Sequence, residues 1–168
     1  SFGVIRHGLK WAENNYKKKY DYIILLEPPS PFRLPEHVQI ALKIAIDKKA
    51  SSVVSIIEVG DYHPIRMKKM KPDGSLTGII IEEPDGIRRQ DQEPVYIRNC
   101  AVYIFSRTTI MLGQLWGDSP YGYQMDRSLY GINIDDHIDI LTARAFYNKI
   151  KKEKKELSLI EYISTESI

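Results

Sequence analysis

Within a dozen residues the chain turns from apolar to proline-rich: Tyr22-Ile-Ile-Leu-Leu-Glu-Pro-Pro-Ser-Pro-Phe-Arg33. The unbroken apolar run from Tyr22 to Leu26 predicts a strand buried on both faces, and such strands belong to sheets covered by helices on both sides. Proline removes a backbone donor and fixes φ, so the chain must leave the sheet at Glu27 as a stiff, shaped loop. In open α/β sheets ligands bind just beyond the carboxyl ends of such strands. Glu27 and Arg33, a carboxylate and a guanidinium bracketing that loop, are therefore candidate ligand contacts. The same residues also suit the plain start of a helix, with Pro35 and Glu36 opening it and Arg33 solvated.

The segments on either side extend the pattern. An amphipathic helix precedes the strand, with Val4, Ile5, Leu9, Ala12 and Tyr16 on one face, and ends at Lys17-Lys18-Lys19, which suits a helix C-terminus. A second helix is expected from about Pro35 to Lys48, with Val38, Ala41, Leu42, Ala45 and Ile46 inward. A second apolar strand follows over Ser51–Val59. Helix, strand, helix, strand predicts parallel neighbours joined by a right-handed crossover. The alternation then breaks. Arg66–Lys71 and Leu76–Ile81 flank the hairpin turn Pro72-Asp73-Gly74-Ser75. Glu82–Glu93 reads as a polar excursion, Val95–Phe105 as a long strand, Thr108–Trp116 as a short helix, and Tyr123–Met125 as a short strand. Ile132–Asp135 is a strand or lead-in to a final helix from about Asp136 to Lys152, with Ile138, Leu141, Ala145 and Ile150 inward. The basic run Lys149–Lys155 is its solvated end, and the last dozen residues are an extra helix or a tail.

Composition narrows the class. At 168 residues one domain with a real core is expected. The net charge of +2 argues against nucleic acid as the main partner. No apolar run is long enough to span a bilayer, and the single cysteine, Cys100, excludes an internal disulfide and suits a reducing, cytoplasmic setting.

Three clusters carry chemistry. Glu27–Arg33 is the first. The second is Arg88-Arg89-Gln90-Asp91, followed by Tyr96, Asn99-Cys100-Ala101 and Tyr103. Paired guanidinium forks suit phosphate or carboxylate, or else lie on a solvated loop. Asn99 is a poor strand former with apolar neighbours, and a buried amide needs partners from the protein or a ligand. The third is Asn133-Ile134-Asp135-Asp136-His137-Ile138-Asp139. Alternation puts Asn133 and Asp135 on one side, where two oxygens suit Mg²⁺. The competing reading is helix capping by Asp135 or Asp136, with Asp139 in the first helical turn under both readings. The histidines make no metal-ligand pattern, and Cys100 reads as a core residue.

Taken in order, the clusters resemble the acylneuraminate cytidylyltransferase family, the CMP-sialic acid synthetases. Leu26-Glu-Pro-Pro-Ser-Pro-Phe-Arg33 matches that family's Leu-Gln-Pro-Thr-Ser-Pro-Leu-Arg. Arg88 to Asp91, Tyr96, Asn99-Cys100-Ala101 and Tyr103 match its Arg-Arg-Gln-Asp, Tyr, Asn-Gly-Ala and Tyr. Asn133-Ile134-Asp135 stands where the family has Asp-Ile-Asp. The resemblance implies a three-layer α/β sandwich with a mostly parallel mixed sheet, like nucleotide-diphospho-sugar transferases and Rossmann-like in character. It implies a homodimer with residues 61–91 as the dimerising excursion. It also implies a reaction in which a nine-carbon 2-keto sugar acid attacks CTP, giving CMP-sugar and pyrophosphate with Mg²⁺. By position, Asp135 and Asn133 would hold metal, Asp135 and Arg88 would be catalytic, and Glu27, Arg33, Arg89, Gln90 and Asn99 would form or support the sugar site. The alternatives are transfer to an eight-carbon 3-deoxy sugar acid, or a non-catalytic sugar- or nucleotide-binding homologue.

The departures set further expectations. The family's first strand and its Arg/Ser/Lys-rich phosphate loop should precede the first helix and are not among these residues, so the chain is expected to carry half a nucleotide site. Glu27 stands where glutamine is usual, Cys100 where glycine is, and Asn133 where aspartate is. The last change removes a negative charge from the implied metal site.

Overall fold

A computed structural model of the chain describes residues 2–80 and 82–152, apart from the side chains of Arg89 and Lys152. The expected extra helix or tail at the end of the chain therefore lies outside the described residues. Helices α1 (Phe2–Tyr16), α2 (Pro35–Asp47), α3 (Arg107–Met111), α4 (Arg127–Tyr130) and α5 (His137–Lys152) alternate with strands β1 (Tyr22–Leu25), β2 (Ser52–Glu58), β5 (Tyr96–Ser106) and β6 (Pro120–Gln124). Strands β3 (Lys68–Met70) and β4 (Leu76–Gly78) form a separate hairpin within the excursion. Gly74 supplies its turn at φ 85°, a conformation glycine adopts without steric cost.

The main sheet has the order β1-β5-β2-β6. β1, β2 and β6 run in one direction, and β5 lies antiparallel between β1 and β2. The expectation that β1 and β2 are neighbours is thus corrected. They are parallel, but β5 inserts between them. Strand character can be read from residues 22–58 alone, whereas the order is decided by a partner that arrives much later in the chain.

Helices cover both faces. Ala41 and Ala45 of α2 pack with Val53, Ile57, Val102, Ile104 and Met125 on one side. Leu9 of α1 and Ile110 of α3 pack with Tyr103 and Phe105 on the other. Arg107 grips the Glu13 carboxylate with two hydrogen bonds, at 2.7 and 3.0 Å, and so ties α3 to α1. A third cluster, Phe32, Ala143 and Ile150, fastens α5 over the proline loop, with the Phe32 and Phe146 rings 5.4 Å apart.

The helix faces differ in part from their expected positions. α1 buries Leu9 and packs Phe2 and Ile5, while Val4 and Tyr16 are exposed. α2 exposes Ile46 and packs Ile44 instead. α5 turns Ala143, Phe146 and Ile150 inward and leaves Ile138 and Leu141 exposed, because it sits on the Phe32 loop rather than flat on the sheet. The helix expected to reach Trp116 stops at Met111. β6 starts earlier than expected, at Pro120, and Ile132–Asp135 is a loop rather than a strand.

Candidate functional site

The centre of the site is an irregularity in β5. Between the pairs Val54↔Tyr103 and Ile56↔Arg98, β2 passes only Ser55 while β5 passes Asn99, Cys100, Ala101 and Val102. The surplus residues form a bulge at the carboxyl end of β1 and opposite Ser55, midway along β2. Bulges of this kind re-aim side chains at the edge of a sheet. Cys100 takes a left-handed φ of 60° there, a conformation that favours glycine. The sequence reading of residues 95–105 as an uninterrupted strand missed this break, although the asparagine was its signal.

A bulge deprives backbone groups of their ladder partners, and buried orphans are costly. Side chains replace those partners here. The Ser30 hydroxyl donates to the Asn99 carbonyl at 3.1 Å. The Asn99 side-chain oxygen accepts from the Ala101 N–H at 3.4 Å. One Arg33 nitrogen donates to the carbonyls of Ala101 and Glu27, at 3.0 Å each. Ser55 Oγ accepts from the Val102 N–H at 2.8 Å. Burial alone lowers the Arg33 pKa from its ordinary value. Its two carbonyl partners supply acceptors in place of a carboxylate.

Asn99 is 5 % exposed, and its amide nitrogen donates to the Tyr130 carbonyl at 3.1 Å and to Met125 Sδ at 3.3 Å. In this geometry its polar atoms hold the protein together. Tyr130 in turn packs against His37, ring centroids 4.4 Å apart. His37 Nδ1 accepts from the Leu34 N–H at 3.0 Å and fixes the start of α2. Burial holds the His37 pKa below the ordinary imidazole value.

The third cluster arrives through the backbone, because the Ile134 N–H donates to the Pro29 carbonyl at 2.9 Å. This brings Asn133 within 3.4 Å of Ser30 Oγ. Asn133 Nδ2 donates to Asp135 Oδ2 at 2.8 Å. Capping of α5 falls to Asp136 and Asp139: the Asp139 N–H donates to Asp136 Oδ1 at 3.0 Å, and Asp139 Oδ2 accepts from the N–H groups of Asp135 and Asp136. The Asp135 carboxylate therefore has acceptor capacity beyond its bond to Asn133. Among the described residues no group of three or more His, Cys, Asp or Glu converges as a metal cage.

Glu27 sits half-buried at the start of the proline loop. The Cys100 thiol, at the bulge, has its pKa raised mainly by burial. The Tyr103 hydroxyl donates to Cys100 Sγ at 3.4 Å, and burial pushes its own pKa up strongly. Arg98 lies over the Trp116 ring, 5.6 Å from its centroid.

The site thus joins Glu27, Arg33, Asn99, Asn133 and Asp135. It does not gather the arginine segment. Arg88 is exposed and bonds to both carboxylate oxygens of Asp91, at 2.9 and 3.1 Å. Gln90 is exposed, and the Arg89 side chain lies outside the described residues. A groove of about 410 Å³ separates the excursion from the sheet, lined by Tyr62, Met67, Tyr96, Ile97 and Arg127 among others. Sequence reasoning missed Ser55, Tyr130, Met125 and His37. Only Ser55, a hydroxyl inside an apolar strand, carried a signal that could have found it.

No family model matches the chain. It is similar to the N-acylneuraminate cytidylyltransferases of Streptococcus agalactiae serotypes V and III, with 26% identity over 158 residues in each case. The match covers 92% of this chain, and the chain spans 36% of the length of those curated relatives. The residues that assemble at the β5 bulge thus lie in a chain that, along nearly all its length, is similar in sequence to N-acylneuraminate cytidylyltransferases.

Proposed function

We propose that the protein carrying this chain is a cytidylyltransferase that activates a sialic-acid-like 2-keto sugar acid. The anomeric hydroxyl of the sugar acid bonds to the α-phosphorus of CTP, the bond to pyrophosphate breaks, and CMP-sugar results. The observation that carries this reading is convergence. The segments 27–33, 99–101 and 133–135 are remote in sequence, and hydrogen bonds through Ser30, Arg33 and Pro29 join them just beyond the carboxyl end of β1. Ligands bind α/β sheets at that edge.

In this mechanism the protein's main task is orientation. Glu27 forms one wall of the sugar pocket, on a loop that Arg33 pins to β5. Asn99 and Ser30 keep the bulge in shape. Asp135, with Asn133 beside it, is the acidic group for Mg²⁺. One or two protein oxygens fit that ion, which takes its remaining ligands from water and phosphates. Bound there, the ion supplies charge neutralisation on the phosphates. The Asn133 amide, now donating to Asp135, would have to turn its oxygen toward a cation to act as a second ligand.

Residues 61–91 are proposed as a dimerisation excursion of a single domain. Met70, Leu76 and Ile80, exposed by 71%, 61% and 72%, support this reading, since apolar surface of that kind marks interfaces. Arg88, Arg89 and Gln90 lie on it and would act from there.

The test is pyrophosphate release from the full-length protein with CTP, Mg²⁺ and candidate sugar acids. Turnover is expected, with Asp135→Ala abolishing it. No release with any nine- or eight-carbon acid, in protein that binds sugar acid or nucleotide, would favour the non-catalytic homologue instead.

A further inference from the structure

His37 is a buried histidine to which the reaction above gives no task. It lies three residues after Leu34, where α2 begins, and its Nδ1 accepts the Leu34 N–H at 3.0 Å. A glutamine or glutamate at this position of a helix reaches back to the same N–H in a capping box. Leucine has no side-chain oxygen to share the task, so the imidazole carries the side-chain half of the cap. The bond also fixes the state of the ring. Nδ1 must be unprotonated to accept, and the proton of the neutral ring lies on Nε2.

The ring touches both strips of chain that clamp the β5 bulge. On one side Leu34 directly follows Arg33, which holds the carbonyls of Glu27 and Ala101. On the other the ring meets Tyr130 edge to face, with centroids 4.4 Å apart, and the Tyr130 carbonyl receives the Asn99 amide at 3.1 Å. The Tyr123 ring of β6 lies 6.3 Å away. Protonation would place an N–H on Nδ1, donor against donor with the Leu34 N–H. The ring must then turn, or the start of α2 must let go, and either movement reaches the bulge through Leu34 or Tyr130. Of the groups around the ring, Glu36 favours the cation, whereas burial and the positive end of the α2 dipole oppose it. Burial raises the pKa values of Tyr123 and Tyr130, which stay neutral, and Asp126 acts on Tyr130 from the start of α4.

Resting on the cytidylyltransferase reading above, we propose that His37, bonded to the Leu34 N–H and packed on Tyr130, is a pH-sensitive positioning residue of the sugar-acid site. Neutral, it locks the proline loop and the β5 bulge together. Protonated, it releases the loop and weakens the grip on the sugar acid. His37 touches no substrate and makes no bond in the reaction. Its protonation therefore acts on KM for the sugar acid rather than on kcat, as loss of uniform binding does.

The experiment has two arms, both on the full-length protein between about pH 8 and about pH 5. The first follows hydrogen exchange at the Leu34 amide, read as a protection factor so that the intrinsic pH dependence of exchange cancels. In the native protein protection is expected to fall at least about tenfold as His37 protonates. In His37→Gln, whose side-chain oxygen can accept the same N–H at every pH, it should stay within about threefold. The Ile104 amide, in the middle of the sheet, should keep its protection in both, which separates local release from unfolding. The second arm measures kcat and KM for nine- and eight-carbon 2-keto sugar acids at saturating CTP and Mg²⁺. The KM ratio of native protein to His37→Gln is expected to rise at least about tenfold on acidification, with the kcat ratio within about threefold. Protonation of CTP cancels in these ratios. His37→Ala, which has no acceptor, should show at about pH 8 the raised KM that the native protein reaches at about pH 5. Leu34 protection that runs the same course in native protein and His37→Gln overturns the inference, and so does His37→Ala with a native KM. No turnover at about pH 8 with any of the sugar acids overturns the cytidylyltransferase reading and this inference with it. Turnover with a flat KM ratio overturns this inference alone.

Discussion

Replacing Ser55 by alanine removes one oxygen atom, and the structure allows its cost to be worked out. Ser55 is fully buried, at 0% exposure, and its Oγ accepts the Val102 N–H at 2.8 Å. The bulge leaves that N–H without a ladder partner on β2, so the hydroxyl stands in for a strand. Alanine leaves the donor buried and unpaired. The space gained is too small for a water molecule, which needs about one probe sphere of room and two or more polar partners. An orphaned buried donor costs about 1–3 kcal/mol. A domain of this size loses roughly 2–4 °C of Tm per kcal/mol, so Ser55→Ala should melt roughly 2–12 °C below the native protein. Thermal melts and urea titrations would measure this. Ser75→Ala is the control, because its hydroxyl bonds Asp73 in the exposed hairpin turn and the change should stay within about 0.5 kcal/mol. If Ser55→Ala melts with the native protein, the hydrogen-bond accounting at the bulge is wrong, and the claim that side chains replace its ladder falls with it.

Other outcomes follow from the same geometry. Because burial depresses the His37 pKa, the folded state resists protonation of that ring. Its contribution is complete above the ordinary imidazole value of about 6.5 and is lost as pH falls through the lowered folded value. The stability difference between native protein and His37→Gln, followed by urea melts from pH 8 to pH 5, should shrink across that window. Arg33→Ala leaves the Glu27 and Ala101 carbonyls without their shared donor and should cost about 1–3 kcal/mol. Arg33→Lys, with a single point donor, should recover only part of that in the same melts. Cys100→Gly should be at least as stable as the native protein, since it relieves a left-handed residue. Cys100→Val should lose about 1–2 kcal/mol, and a valine variant that melts with the native protein would refute the strain argument. Asp136→Ala should lose about 0.5–2 kcal/mol of helix capping. Asp135→Ala should leave Tm nearly unchanged while removing turnover, which separates capping from chemistry.

The two apolar strands, the long helices and the hairpin were legible because each announces itself over a few adjacent residues, but β1 is not buried on both faces as expected: it lies at the edge of the described sheet, with Ile24 and Leu26 exposed. Pro35 opened α2 where expected, and Gly74 turned the hairpin. The sheet order was hidden because β5 competes for both β1 and β2, and no local pattern ranks those pairings. Ile138 and Leu141 misled the α5 face because the helix rests on Phe32, a loop residue whose position depends on the tertiary fold. At the site, alternation put Asn133 and Asp135 on one side of a strand end; the segment is a loop instead, and in it the Asn133 amide donates to Asp135. Asn99 was singled out for the right reason, a buried amide in a strand, but its partners proved to be Tyr130 and Met125, which lie far along the chain.

The insertion of β5 also sets a schedule for the sheet. Tyr22 has its strand partner in Ser106, and Ser52 pairs with Phe105 and Pro120. Among the described residues, neither β1 nor β2 has a hydrogen-bonded strand neighbour before residue 96, so both pairings span the whole excursion. Long-range pairings of this kind slow collapse to the native state and expose unpaired edges meanwhile. The polar stretch at 82–93 and the lysines of β3 then matter during synthesis. They keep the intervening segment polar until residues 96–106 slot between the two strands, after which β6 adds along β2.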